Sequence, residues 1–292
     1  MTDPTELLER FWGVADARVS RLGGGMNSET WLVDHQGATY VAKSVSPAAL
    51  ADLVSGCEVA AALADAGFVT GRPVPTRDGR IACTEPPLAL LERVSGRELD
   101  GETAEEQRWM ARTLAGIHAA SGPASGPSTA AFATDWISPQ LPGVEAHPWL
   151  TTAIGAVRAE TAQLKVTWSQ LHTDPAPEAF IHDDSTGVTG LIDWTGARKG
   201  PVLYDVASAV MYLGGPDRAT AFLDTYQSHG PLAAQEMQYL DAFRRFREAV
   251  QGAYFARRLA VNDLTGGIDQ AENHKGLSDA RRRIVALGPG AG

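Results

Sequence analysis

Apolar positions in this chain change period several times, and each change marks an element. Residues 6–17 read as a short N-terminal helix. Thr30-Trp31-Leu32-Val33 and Thr39-Tyr40-Val41-Ala42-Lys43 read as two strands joined across His35-Gln36-Gly37, which suggests a hairpin. Ahead of the first strand, Gly23-Gly24-Gly25-Met26-Asn27-Ser28 is a loop that glycine allows to fold tightly. Residues 47–66 return to a helical period, with Leu50, Leu53, Val54, Val59 and Leu63 apolar and Gly67 as the stop. Further strands are expected at 81–84 and 88–91, after which Glu92-Arg93-Val94-Ser95-Gly96 breaks the pattern. This break is taken as the boundary between a small lobe, 1–93, and a larger one, 94–292.

The second lobe reads as mainly helical. Helices are expected over 103–120, 154–167, 206–213, 217–228 and 232–262. Residues 121–131 are rich in Ser, Gly, Pro, Ala and Thr and read as a linker or exposed loop; Gly288-Pro289-Gly290 reads as a frayed tail. Trp136, Trp149, Trp168, Tyr239, Phe243, Phe246, Tyr254 and Phe255 are candidates for a ligand pocket, although at helical spacing such residues more often build core. Arg244, Arg245, Arg247, Arg257 and Arg258 read as a solvated helix face.

Composition narrows the class. The chain has 292 residues, 44% of them hydrophobic and 21% charged, enough for a substantial core. No window approaches ~20 unbroken apolar residues, and the acidic start Met1-Thr2-Asp3-Pro4-Thr5-Glu6 does not read as a secretory signal. Two cysteines, Cys57 and Cys83, make neither a disulfide framework nor a zinc site. A cytoplasmic protein is expected. The formal net charge of −10 and the lack of a long Lys/Arg run argue against a nucleic-acid partner, and no membrane partner is expected. A small molecule suits this surface better; the oligomeric state is open. Lysine is rare here (Lys43, Lys165, Lys199 and Lys275), which draws attention to the one that ends a strand.

The most chemical stretch runs from Leu171-His172-Thr173-Asp174-Pro175 to His182-Asp183-Asp184, and on to Leu191-Ile192-Asp193-Trp194. Carboxylates in a proline-bounded loop can orient a nucleophile and hold a hard cation. His172-x-Asp174, Ile192-Asp193-Trp194 and Tyr204-Asp205-Val206-Ala207 resemble the motifs of the aminoglycoside phosphotransferase and choline kinase-like superfamily. That superfamily shows His-Gly-Asp-x-x-x-x-Asn, Ile-Asp-Trp and Tyr-Asp-Leu-Ala in the same order. Lys43 at the end of Tyr-Val-Ala-Lys, Glu58 in the next helix and the segment Leu91-Glu92-Arg93-Val94 fit the same resemblance.

The resemblance implies an α+β, two-lobed protein-kinase-like fold, with a small antiparallel-sheet N-lobe for the nucleotide. A mainly helical C-lobe would carry the catalytic loop and a small-molecule pocket. It implies that Lys43 meets the phosphates of ATP or GTP, that Glu58 holds Lys43, and that Glu92 and Val94 border the adenine. Asp174 would orient the acceptor hydroxyl and take its proton, and Asp193 would bind Mg²⁺. Asp205 reads as a structural residue that bonds the catalytic loop from a helix start. The chain also departs from the pattern: Ala179 stands where the metal-binding Asn falls, with Glu178 beside it as a substitute ligand, and Thr173 replaces the Gly after the His.

Two functions follow. One is a phosphotransferase acting on a hydroxyl of an antibiotic, amino alcohol or sugar, with a role in antibiotic resistance. The other is a catalytically impaired relative that sequesters a small molecule without nucleotide or metal. A third, weaker alternative takes His172, Asp174, His182, Asp183 and Asp193 as a metal-hydrolase cluster.

Overall fold

The structure is a computed structural model; it describes residues 4–23, 25–126, 132 and 137–288. The chain divides into two compact units: Met1–Leu99 with Glu178–Ala197, and Asp100–Pro177 with Arg198–Gly292. A later segment, 178–197, returns to the first unit. The return has a backbone cause. Strand β7 (Arg97–Glu98) pairs with β10 (Phe180–Asp183), and the Leu99 amide donates to the Phe180 carbonyl at 3.1 Å.

In the first unit, α1 (Thr5–Trp12) precedes a six-stranded antiparallel sheet. Its strands are β1 (Arg18–Leu22), β2 (Ser28–His35), β3 (Ala38–Val45), β4 (Pro73–Val74), β5 (Cys83–Thr84) and β6 (Pro87–Glu92). The order is β1-β2-β3-β6-β4, with β5 also on β6. The β2–β3 hairpin turns at Gln36 and Gly37, both at positive φ (49° and 82°), the geometry that lets a two-residue loop match strand twist.

Strand alternation then assigns the faces. Val33, Ala42, Leu88 and Leu90 pack with Leu8 of α1, while Val45 and Ala89 pack with Leu53 and Cys57 of α2 (Leu50–Asp65). Lys43 lies opposite Ala89 in the β3–β6 register, so its side chain leaves on the α2 face. Beyond β10, β11 (Val188–Leu191) closes a three-stranded sheet in the order β11-β10-β7.

Helix α2 with its 3-10 lead-in, Pro47–Asp65, is by length and composition apolar enough to cross a membrane. Its Leu53, Gly56, Cys57, Ala60 and Leu63 are buried at helical spacing, and Leu53 and Cys57 pack with Val45 and Ala89 of the sheet.

The second unit holds α3 (Ala104–Ala120), α4 (Pro148–Thr161), α5 (Val202–Tyr212), α6 (Thr220–His229), α7 (Leu240–Ala260) and α8 (Gln270–Leu287). A small sheet pairs β12 (Arg198–Pro201), β9 (Thr167–Leu171) and β8 (Ala124–Ser125). Thr103 caps α3 by accepting from the Glu106 amide, and Asp269 with Glu272 forms a capping box on α8.

Several boundaries differ from the sequence expectation. The first helix stops at Trp12 because Gly13 turns left-handed (φ 75°), which frees β1 to pair with β2. The helix expected over 154–167 runs from Pro148 to Thr161, with β9 starting at Thr167. Helix α8 is unforeseen. The linker expectation at 121–131 falls largely outside the described residues, as do Trp136, Gly24 and the tail at 289–290; Ala124 and Ser125 pair with β9.

The arginines of α7 are not one solvated face. Arg247 and Arg258 are buried at 4% and 0% exposure. Arg258 reaches Asn273 (2.9 Å), the Thr265 carbonyl (2.9 Å) and the Tyr254 hydroxyl (3.2 Å), which ties α7 to α8. Among the pocket aromatics, Phe243 and Phe246 are core, and Phe246 stacks on Phe132 with centroids 5.8 Å apart.

Candidate functional site

The first unit brings Lys43 and Asp193 together. Lys43 Nζ and Asp193 Oδ1 form an ion pair; the lysine side chain is 7% exposed and the aspartate 51%. Asp193 follows β11 and sits at φ 67°, ψ 63°, a left-handed backbone that redirects the chain into the 3-10 turn Trp194–Gly196. That turn is fixed from both sides. Trp194 Nε1 donates to the Leu191 carbonyl at 2.8 Å, and α2 presses Gly56 against the Trp194 carbonyl, where no side chain fits.

Glu58 is not brought to Lys43. It lies exposed on α2, while Gly56 and Cys57 turn inward, and among the described residues the ion pair of Lys43 is to Asp193. Cys57 occupies the buried position beside the pair. Burial pushes its thiol up to about 11, against a smaller opposing pull from the Lys43 charge.

The other first-unit candidates flank the same region. Glu92 ends β6, exposed, with its amide donating to the Arg72 carbonyl at 2.8 Å. Val94 follows, half-buried; a Cβ placed at Gly71 (φ 69°) would lie 3.9 Å from Val94 Cγ2, 3.7 Å from Ile192 Cγ2 and 3.5 Å from the Glu92 carbonyl. Gly71 thus permits the close approach of the β6 end to the residue before Asp193. Glu178 is exposed and Ala179 is buried, its carbonyl accepting from the Ile192 amide at 2.9 Å.

The second unit holds the Asp174 loop. Asp174 is exposed, yet its Oδ1 accepts from Arg247 Nη2 at 2.7 Å and from the Tyr212 hydroxyl at 2.6 Å. The loop itself hangs on Asp205 of α5. Fully buried, Asp205 accepts from the amides of His172 (2.7 Å) and Thr173 (2.8 Å) and bonds His118 Nε2 (3.1 Å). His118 Nδ1 meets the Tyr226 hydroxyl at 2.6 Å. The loop-bonding role expected of Asp205 is therefore present in the geometry. Thr173 sits at φ 80°, a conformation costly for a β-branched residue, which explains why glycine suits this position. Arg247 is expected on a solvated face, and Tyr212 and His118 are not singled out in the sequence; the exception that α7 makes to its own pattern, an arginine on the apolar stripe with Phe243 and Phe246, is the available signal.

Among the described residues no group of three or more His, Cys, Asp or Glu side chains is placed to hold a metal ion. Two members of the hydrolase alternative are engaged elsewhere in the first unit. Asp183 is occupied in the β10–β11 turn, where bonds from Ser185 (2.9 Å from its amide, 2.6 Å from its hydroxyl) hold its carboxyl below the usual range. His182 Nδ1 is bonded to Thr189 Oγ1 at 2.8 Å.

A buried strand lysine paired with a carboxylate after a hairpin, and a loop whose amides hang on a helix aspartate, are features of a phosphotransferase-like protein of α+β class. The chain belongs to the phosphotransferase enzyme family (APH), whose model matches residues 18–248. Solved structures share the fold. One is the amicoumacin kinase hAmiN in complex with AMP-PNP, Ca²⁺ and Ami: TM-score 0.77, 12% identity, 99% of this chain and 95% of that one. Another is the choline kinase LicA from Streptococcus pneumoniae: TM-score 0.71, 17% identity, 97% of each chain. A third is the spectinomycin phosphotransferase APH(9)-Ia with ADP and spectinomycin: TM-score 0.65, 13% identity, 97% of each chain. No curated protein matches the chain in sequence. The fold is the two-lobed protein-kinase-like one, with an antiparallel-sheet unit and a mainly helical unit.

Proposed function

We propose that this protein transfers the γ-phosphoryl group of ATP or GTP to a hydroxyl of a small organic molecule. The observation that carries this reading is the Lys43–Asp193 pair: a buried ammonium on a strand held against an exposed carboxylate in a left-handed turn. Phosphoryl transfer asks the protein mainly for positioning and for neutralisation of charge. Lys43 would bind phosphate oxygens, and Glu92 and Val94 would border the base. Asp174 would orient the acceptor hydroxyl and receive its proton. Glu58, exposed on α2, has no part in holding Lys43 here.

The donor set at Asp193 is oxygen only, which suits a hard cation that takes one or two carboxylates and keeps water and phosphate as its other ligands. Asp193 would hold Mg²⁺, with Glu178, one residue before the Ala179 whose carbonyl accepts from the Ile192 amide, as the proposed second carboxylate; the Ala179 side chain supplies no donor. When bound, Mg²⁺ would neutralise the phosphate oxygens.

The acceptor is proposed from the classes named for similar structures: an antibiotic or an amino alcohol such as choline. An antibiotic acceptor would make this a resistance protein. A cytoplasmic setting is supported by two free, buried thiols, Cys57 and Cys83.

The test is a thermal-shift titration with Mg-ATP and Mg-GTP, followed by mass spectrometry of candidate acceptors. Nucleotide at 100-fold its Kd is expected to stabilise by ~2.7 kcal/mol. Asp174→Ala should abolish the phosphorylated product and leave that shift in place. A fully active Asp174→Ala enzyme overturns the reading. Ala179 favours a second reading, sequestration of the small molecule without transfer; stoichiometric ligand binding that ignores nucleotide, with no product, would select it.

A further inference from the structure

Arg247 is buried on all sides, yet its ion-pair partner is exposed: the arginine side chain is 5% exposed and the Asp174 side chain 59%. A guanidinium stays charged in a protein, and taking it out of water costs several kcal/mol before any contact compensates. A pair serving stability alone gains most when both partners are dry. Here the cation is locked and the anion is presented.

The lock has named parts. Arg247 Nε donates to Ser208 Oγ at 2.9 Å, and its guanidinium lies 6.0 Å from the Tyr204 ring centroid and 5.9 Å from that of Tyr212. Nη2 then points to Asp174 Oδ1, which the Tyr212 hydroxyl also reaches. Two donors converge on Oδ1. Oδ2 has no hydrogen-bond partner among the described residues. The two oxygens of one carboxylate are thus made unequal.

We propose that Arg247, assisted by Tyr212, is the positioning residue of the phosphoryl-transfer reaction: it fixes Asp174 through Oδ1 so that Oδ2 alone faces the acceptor hydroxyl. This rests on the phosphotransferase reading above. In the step, the acceptor oxygen forms a bond to the γ-phosphorus and the bond from that phosphorus to the β,γ-bridging oxygen breaks. The electron pair of the broken bond leaves with the nucleoside diphosphate, and the hydroxyl proton passes to Oδ2. A freely turning carboxylate would offer either oxygen in many directions; a pinned one offers a single lone-pair direction.

The experiment uses the full chain and water as the acceptor, reading release of inorganic phosphate from Mg-ATP and Mg-GTP. Arg247→Met is expected to lower kcat about 10²-fold with the nucleotide KM unchanged. Arg247→Lys should recover part of the loss, and Tyr212→Phe, at a half-exposed site that carries little folding risk, should lower kcat by a smaller factor. NMR of the labelled guanidinium provides a readout independent of turnover. Arg247 is expected to show restricted Nη rotation in the wild type, retained in Tyr212→Phe and released in Asp174→Ala.

Averaged Nη signals in the wild type overturn the proposal whatever the turnover. So does an Arg247→Met enzyme of unchanged or higher kcat, or one whose kcat falls only in step with KM and melting temperature. A restrained guanidinium in a wild type that releases no phosphate and phosphorylates no acceptor overturns the phosphotransferase reading instead, and the positioning role falls with it.

Discussion

Lys43 and Asp193 meet across 150 positions of sequence, with the ammonium buried and the carboxylate half in water. The asymmetry fixes what each substitution does. Asp193→Asn leaves a buried ammonium without its counter-charge, and is expected to cost about 1–2 kcal/mol; the aspartate's exposure keeps this below the cost of breaking a fully buried pair. Chemical denaturation measures it. An unchanged midpoint would show that solvent already screens the pair.

Gly56 is predicted to be intolerant. A Cβ added there would overlap the Trp194 carbonyl oxygen, so a methyl group would push α2 off the turn that carries Asp193. Gly56→Ala is expected to destabilise by about 1–3 kcal/mol despite the better helix propensity of alanine. It should also weaken nucleotide binding, read from the same thermal-shift titration. A more stable Gly56→Ala protein would mean that the turn yields.

Asp205 is predicted to be a stability residue first. Asp205→Ala would strand the amides of His172 and Thr173 and the His118 ring, all buried. Each orphaned donor costs about 1–3 kcal/mol, so a loss of at least ~3 kcal/mol is expected in the denaturation midpoint. A loss under 1 kcal/mol would indicate that water replaces the carboxylate.

Cys57 carries a pH prediction. Its thiol is raised from 9.0 to about 11 by burial, so the folded state keeps a proton that the unfolded chain gives up. The stability that this contributes is whole below pH 9 and is lost as pH rises toward 11, at about 1.4 kcal/mol per pH unit. Denaturation between pH 8 and pH 11 should show this slope, reduced in Cys57→Ala. Equal slopes in the two proteins would remove the assignment. Near neutral pH, Cys57 should react with thiol reagents only after unfolding.

What the sequence disclosed and what it withheld divide along physical lines. The β2–β3 hairpin was legible because alternation and a Gln36-Gly37 turn are local signals, and the α3 boundary because Thr103 caps it. Strand β1 was not, since its place depends on Gly13 ending α1 and on pairing with β2. Lys43, Asp174, Asp193 and Asp205 stand out through the resemblance of their motifs to a known superfamily; the Lys43–Asp193 pair and the loop bonds of Asp205 are what the structure adds. The partner of Lys43 could not: Glu58 had the right helix but the wrong side of it, which only the packing of Gly56 and Cys57 decides. Arg247 was misread because a run of arginines looks solvated in sequence. Its burial depends on Ser208, Tyr204 and Asp174, none near it in the chain.

The first unit is made of two stretches of chain, 4–99 and 178–197, with α3 and α4 encoded between them. During synthesis, Lys43 therefore emerges long before the segment that supplies its carboxylate. The sheet must wait on the ribosome with α2 lacking its Trp194–Gly196 cover until residue 197 is out. A gene fragment ending near residue 93 would encode the whole six-stranded sheet but neither the β11-β10-β7 sheet nor the carboxylate that pairs with Lys43, and domain exchange between relatives would need to move both stretches as one inheritance.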